Sequence, residues 1–199
     1  MRRAPALFLQ ELIAGLPREG GGAKTLRDRA LLLIGWIGAL RRSEIVGLDI
    51  EDLEENPRGL ILHLRRSKTD QDGTGRTVII PAGRGKLCPV VALKSWIAAL
   101  HDSTGPIFRA VNRHGTIKAG RLEARAVARI VREAATKSGL TGNYSGHSLR
   151  SGFISEAALR GRSERSIAAQ TGHRSIVILR GYVRRATPFD DNAAADILI

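Results

Sequence analysis

Cysteine is nearly missing from this chain: Cys88 is the only one in 199 residues. A lone cysteine excludes an intrachain disulfide and any zinc site built from several thiolates, and it makes a reducing compartment the default. Long hydrophobic runs are missing too. The longest, Ala30 to Leu40, has 11 residues, against about 20 for a membrane-spanning helix. The N-terminal MRRAPALFLQELIAG starts like a secretion signal, but Gln10 and Glu11 interrupt its apolar segment. These absences predict a soluble protein of the cytoplasm. A basic protein of the membrane surface would show a long amphipathic helix with Trp or Phe on its apolar face. The chain has no such helix, and aromatic residues make up only 4% of it.

Acids are scarce in one half. Residues 109 to 185 hold 16 Lys and Arg against 4 Glu and no Asp, whereas residues 1 to 108 hold 16 against 12. The last 14 residues carry three Asp and no base, and the whole chain has a net charge of +13. A solvated surface does not need an uncompensated excess of this size. It points to a polyanionic partner, either nucleic acid or an acidic membrane.

What is present reads as helix, hairpin, helices. Ala4 to Leu16 has helical periodicity and stops at Pro17. Thr25 with Asp28 has the spacing of a capping box opening a second helix through LRDRALLLIGWIGAL, which is apolar nearly all round and therefore buried. Gly35 and Gly38 each cost about 1 kcal/mol of helix propensity, so close helix packing should compensate. GLILHL and RTVIIP predict strands at Gly59–Leu64 and Arg76–Ile80, joined by the turn formers of RSKTDQDGTG. Pro89–His101 predicts a helix, and the irregular GPIFRAVNRHGTI after it has room for a short strand. Gly120–Ser138 predicts a basic helix. Gly146–Arg160, Ser163–Thr171 and Ile176–Tyr182 predict three more, and Phe189–Ile199 a short amphipathic one. The fold class is mainly α with a small antiparallel β-sheet, in one domain.

The chemistry lies in polar residues at odd places. After ten nearly unbroken apolar residues comes RRSE, which brings Arg41 or Arg42 to the edge of the core with Glu44 in reach of a guanidinium. In SGHSLRSGF, His147 and Arg150 share one face at the front of a helix. An arginine there opposes the helix dipole unless an anion sits beside it. In TGHRSIVILRGY, His173 stands nine residues before Tyr182. Each feature alone has a bland explanation: a core-edge ion pair, a helix cap, an amphipathic tyrosine. Lys68 alone is an ordinary loop lysine, and His63, His101 and His114 show no partner pattern. Together, two arginines, two histidines, a lysine and a tyrosine suit displacement at a phosphodiester. Arginine forks would hold the non-bridging oxygens and the charge of a pentacoordinate state, in place of a metal ion.

ALRRSE, HSLR and GHRSIVILRGY resemble the catalytic-domain motifs of the tyrosine recombinases, or phage-integrase family. That pattern, Arg…Lys…His-x-x-Arg…His/Trp…Tyr, spans the chain from the second helix to Tyr182. The resemblance implies the family's catalytic-domain fold and site-specific cleavage and rejoining of DNA. It assigns Arg41 and Arg150 to the scissile phosphate and Lys68, the only lysine in its hairpin, to protonating the leaving 5′ oxygen. His147 becomes the proton acceptor and donor for the tyrosine, His173 a hydrogen-bond donor to the phosphate, Tyr182 the nucleophile and Glu44 an acidic support. It further implies no cofactor and no metal. The free chain would be a monomer, forming a homo-oligomer, a tetramer, on DNA, with the tail passing to the next protomer. Only about 25 residues precede the buried helix, so the family's usual N-terminal DNA-clamping helical domain is expected to be absent. A type IB topoisomerase shares the chemistry but suits the short hairpin less well. A non-catalytic DNA-binding module of the same fold is disfavoured by the complete set of six residues.

Overall fold

The apolar run that begins at Ala30 lies at the centre of the molecule. In the computed structural model, which describes residues 5–18, 20–65, 75–173 and 175–186, helix α2 (Ala23–Ile37) buries Ala30, Leu31, Leu32, Ile34 and Trp36. Helices α4 (Pro89–Leu100) and α6 (Gly146–Leu159) pack against it, and α1 (Leu9–Gly15) lies against α6. Close packing does compensate for Gly35: a Cβ there would stand 2.9 Å from Ile45 Cδ1 and 3.0 Å from Leu149 Cδ1. Each tryptophan buries its ring and satisfies its N–H. Trp36 donates to the Leu7 carbonyl and Trp96 to that of Ile107, both at 2.8 Å.

The start of α2 departs from expectation. The helix begins at Ala23 after Gly22, and Asp28 does not cap it. Instead, Asp28 accepts from Arg27 Nε at 2.8 Å and Arg27 Nη2 at 2.6 Å, and Arg27 is 1% exposed. A buried guanidinium requires a carboxylate, and that need outweighs a cap that Gly22 supplies with its extended backbone.

Strands β1 (Leu53–Asn56), β2 (Gly59–Leu64) and β3 (Arg76–Pro81) form an antiparallel sheet in that order, with Leu60 opposite Ile80 and Leu62 opposite Val78. Alternation turns Leu60, Leu62, Leu64, Val78 and Ile80 inward. A second ribbon, β4 (Arg109–Val111) with β5 (Ile117–Arg121), accounts for the short strand foreseen in the irregular stretch. It also takes the first residues expected of the basic helix. Arg121 pairs with Arg109, so helix α5 starts only at Ala124 and runs to Lys137. Its inner face is Val127, Ile130, Val131, Ala134 and Ala135, and its arginines face solvent.

Short helix α3 (Arg42–Gly47), then α7 (Glu164–Thr171) and α8 (Ile176–Ala186), complete the chain. Ile154, Ala157, Ile167 and Leu179 form a small core of their own where α6, α7 and α8 meet. Lys68 and the tail from Phe189 to Ile199 lie outside the described residues. Among the described residues no helix is long and apolar enough to cross a membrane.

Candidate active site

α2 stops at Ile37, and the chain turns through Gly38 and Ala39, the latter left-handed at φ 47°. Arg41 follows as the N-cap of α3, with extended backbone at φ −72° and ψ 152°. It is therefore Arg41, and not the exposed Arg42, that the turn brings to the core edge. Glu44, three residues on, reaches back to hold it twice. One oxygen accepts from the Arg41 backbone N–H and the other from Arg41 Nη1, each at 2.7 Å. The Glu44 side chain is 1% exposed, so this carboxylate is committed to its partners.

α6 supplies the next pair. Its first turn is closed by Ser145, whose hydroxyl accepts from the His147 backbone N–H at 3.3 Å, while Ser148 Oγ accepts from the Ser145 N–H at 3.0 Å. That cap fixes where the turn begins. It leaves His147 exposed and Arg150 buried at 3%. Arg150 Nη1 donates to the Ala39 carbonyl at 2.7 Å, and its Nη2 lies 3.3 and 3.4 Å from the two ring nitrogens of His173. Burial, with the nearby Arg41 and Arg76 cations, pushes the Arg150 pKa down to about 10, against the opposing pull of Glu44 and Tyr182.

α7 ends at Gly172, left-handed at φ 66°, and this turn delivers His173. A Cβ at Gly172 would also stand 2.9 Å from Arg76 Cδ. Thr171 Oγ1 lies 2.7 Å from both His173 Nδ1 and the Ile167 carbonyl oxygen. Burial, then the cations Arg150, Arg41 and Arg76, lower the His173 pKa to about 4. His173 is therefore neutral at pH 7 and carries its single ring proton on one nitrogen, which the Thr171 hydroxyl helps select. One turn into α8, Leu179 is buried in the small core and Tyr182 packs against the same cluster. The phenolic oxygen of Tyr182 meets His147 Nε2 at 3.0 Å, and the rings of His147 and His173 lie 6.0 and 6.1 Å from the Tyr182 ring.

Arg41, Glu44, His147, Arg150, His173 and Tyr182 thus converge from α3, α6 and the α7–α8 region, across 141 residues of sequence. Lys68 belongs to the segment between β2 and β3 that is outside the described residues. Sequence reasoning missed four contributors: Ala39, Arg76, Gln170 and Thr171. Arg76 was legible. It is in register with the inward-facing Val78 and Ile80, so strict alternation places an arginine on the buried face of β3. Its Nη2 donates to Glu44 Oε2 at 3.1 Å and its Nη1 to the Gln170 carbonyl at 3.0 Å. The Gln170 amide in turn donates to the carbonyls of Ile37 and Ile79, both at 2.9 Å. Chemically, the arrangement offers a tetrahedral oxyanion several N–H donors on one side and, beside them, a phenol bonded to an imidazole.

The sequence pattern of the phage integrase family matches residues 9–187. An integrase/recombinase XerD homologue of Selenomonas ruminantium is 39% identical over 189 residues, covering 94% of this chain and 52% of that protein. The tyrosine recombinase XerD of Mycobacterium tuberculosis is 29% identical over 187 residues, covering 91% and 57%. The chain therefore spans about half the length of these relatives. In fold it is similar to the XerH site-specific recombinase in a post-cleavage complex with its difH substrate, at a TM-score of 0.69 and 20% identity, over 96% of this chain and 51% of that one. It is also similar to a lambda integrase dimer bound to a core site, at 0.65 and 17%, over 92% and 49%.

Proposed function

Because this chain belongs to the phage integrase family, we propose that it is the catalytic part of a site-specific recombinase, cutting and rejoining DNA through a 3′-phosphotyrosyl intermediate. The observation that carries the reading is the contact of Tyr182 Oη with His147 Nε2 at 3.0 Å, next to a pocket of buried guanidinium groups. A phenol titrates near 10, so attack at neutral pH needs an acceptor for its proton, and His147 is in place for that.

In this mechanism Arg41 and Arg150 hold the two non-bridging oxygens of the scissile phosphate. Each is oriented by a second bond, Arg41 to Glu44 and Arg150 to the Ala39 carbonyl. Their positions are set before substrate arrives, which is what makes such donors effective in the transition state. His173, neutral, adds a hydrogen bond to the phosphate. Tyr182 attacks phosphorus, its bond to the 3′ phosphate forms as the bond to the 5′ oxygen breaks, and Lys68 protonates that oxygen. The 5′ hydroxyl of another strand then attacks the phosphotyrosine and restores both tyrosine and DNA. The ester is exchanged and never hydrolysed, so no ATP and no metal is consumed.

Double-stranded DNA is the proposed partner. The net charge of +13 supports it, as do the outward arginines of α5, with Arg125 85% and Arg129 64% exposed at the side chain. On paired sites the protomers assemble into a tetramer from free monomers, in the cytoplasm. The apolar end of the tail, Ile197 to Ile199, is the segment assigned to linking them. An open apolar groove of about 650 Å³ lined by Leu9, Trp36, Ile79, Phe153 and Ile167 is available to receive it.

A nicked suicide duplex run on a denaturing gel tests the chemistry. The wild type should shift by the mass of the protein and Tyr182→Phe should not; an adduct that survives in Tyr182→Phe removes the tyrosine from the role. Deleting residues 189–199 should spare single-site binding but abolish cooperative assembly in a band-shift titration. Relaxation of supercoils without recombination would assign the site to a topoisomerase reaction.

A further inference from the structure

Two arginines share the buried carboxylate of Glu44: Arg41 at 2.7 Å and Arg76 at 3.1 Å. The consequence is electrostatic. Glu44 alone would cancel the charge of Arg41, leaving one net positive charge among Arg41, Glu44 and Arg150. With Arg76 included, the same pocket holds two. The state formed when a phenolate adds to a phosphodiester carries two negative charges, one from each reactant. We propose that Arg76 is a positioning residue of the phosphate pocket, offsetting Glu44 so that Arg41 and Arg150 both keep their charge for the phosphate. The inference rests on the phosphoryl-transfer reading above.

Geometry gives Arg76 a second task. Its other terminal nitrogen donates to the carbonyl of Gln170 at 3.0 Å, three residues before His173. Its stem lies against Gly172, where no Cβ would fit. In the sheet it pairs with Leu64, at the mouth of the β2–β3 hairpin from whose loop Lys68 is drawn. One guanidinium thus ties the root of that hairpin, the carboxylate behind Arg41 and the turn that presents His173.

A purely structural explanation fits poorly. Arg76 Nε is buried with no hydrogen-bond partner among the described residues, and burial lowers the Arg76 pKa. An unmet buried donor and a desolvated cation both cost stability. An apolar side chain of similar length would fill the space without either cost. The arginine is explained by the charge it brings.

The test compares wild type, Arg76→Lys and Arg76→Met. A pool of nicked duplexes of randomised sequence, enriched for covalent adduct with wild type, supplies the suicide substrate. The enriched sequence is then remade with an uncharged methylphosphonate at the cleaved position. Arg76→Met should melt near the wild-type temperature and bind DNA normally, yet form adduct roughly ten- to a hundredfold more slowly, the size of one unit charge roughly 6–12 Å away at an effective dielectric near 20. On the methylphosphonate, which needs one positive charge fewer, that gap should close. Arg76→Lys, which keeps the charge but cannot make both bonds, should fall between. An equal loss on both substrates, or no loss, overturns the proposal. Failure of wild type to form adduct with any duplex overturns the phosphoryl-transfer reading instead. In that event the placement of the charge is decided by NMR titration of His173, which faces Arg150, Arg41, Arg76 and His147. Its pKa should rise in Arg76→Met, and an unchanged value removes Arg76 from the pocket.

Discussion

Arg150 Nη1 and the carbonyl of Ala39 lie 2.7 Å apart across 111 residues of sequence. The bond exists because Ala39 is left-handed at φ 47°, which turns its carbonyl in toward the guanidinium. For a residue with a Cβ that conformation costs about 1–2 kcal/mol. Ala39→Gly should therefore leave the turn intact and be neutral or stabilising by up to about 1 kcal/mol. Ala39→Val, β-branched, should destabilise by more than the alanine strain and slow adduct formation with it. Urea unfolding and single-turnover cleavage check the pair. Arg150→Lys should keep the fold but lose roughly 10²–10³ in rate, since an ammonium cannot hold Ala39 and a phosphate oxygen in one plane.

In the proposed mechanism His147 is the acceptor and Tyr182 the nucleophile. His147 is exposed, so His147→Ala should not alter the melting temperature. It should slow adduct formation by about 10²–10⁴, the usual span of general-base catalysis. A wild-type rate in His147→Ala would make the 3.0 Å contact one of the resting enzyme only.

Lys68 has its own signature. A substrate with sulfur at the 5′-bridging position releases a thiolate that leaves without a proton. Lys68→Ala should regain most of its lost rate on that substrate and Arg150→Ala should not. Equal recovery would take the general-acid role away from Lys68.

His173 predicts a pH dependence of stability. Its pKa is about 4 in the folded chain against 6.5 unperturbed. As pH falls from 6.5 to 4, the unfolded chain takes up a proton that the folded chain refuses. Stability is therefore lost through that window and unaffected by this group above it. His173→Gln should flatten the decline in a series of melts. Thr171→Val removes the hydroxyl beside His173 Nδ1 while keeping its volume. The proton distribution between the His173 ring nitrogens, read by nitrogen-15 NMR, should change, and adduct formation should slow.

Periodicity found what periodicity governs. The all-apolar α2, the paired β2 and β3, and the capped front of α6 follow from apolar spacing and from Ser145. Strand β1 escaped because LEEN has three exposed residues and no alternation; it is a strand only because β2 offers it an edge. Asp28 was misread because its sequence position suits a cap while its surroundings demand an ion pair. In the site, the residues that touch phosphate in the proposed mechanism stand in recognisable local motifs. Of those that hold them, Ala39, Arg76 and Gln170 act through long-range bonds that no local spacing encodes, whereas Thr171 acts on His173 from two residues away. Arg76 was the exception, readable from the face it shares with Val78.

Tyr182 belongs to a lightly anchored layer of the protein. Its helix is fastened by the small cluster of Ile154, Ala157, Ile167 and Leu179, apart from the large core around α2. Cooperative units with little apolar burial open at a fraction of the global unfolding free energy. Amide hydrogens of α7 and α8 should exchange well before those of α2. Each such opening separates Tyr182 from Arg41 and Glu44 while the large core stays folded. In the proposed mechanism, cutting competence is then a population, which a DNA phosphate bridging the two layers would raise by closing them on each other.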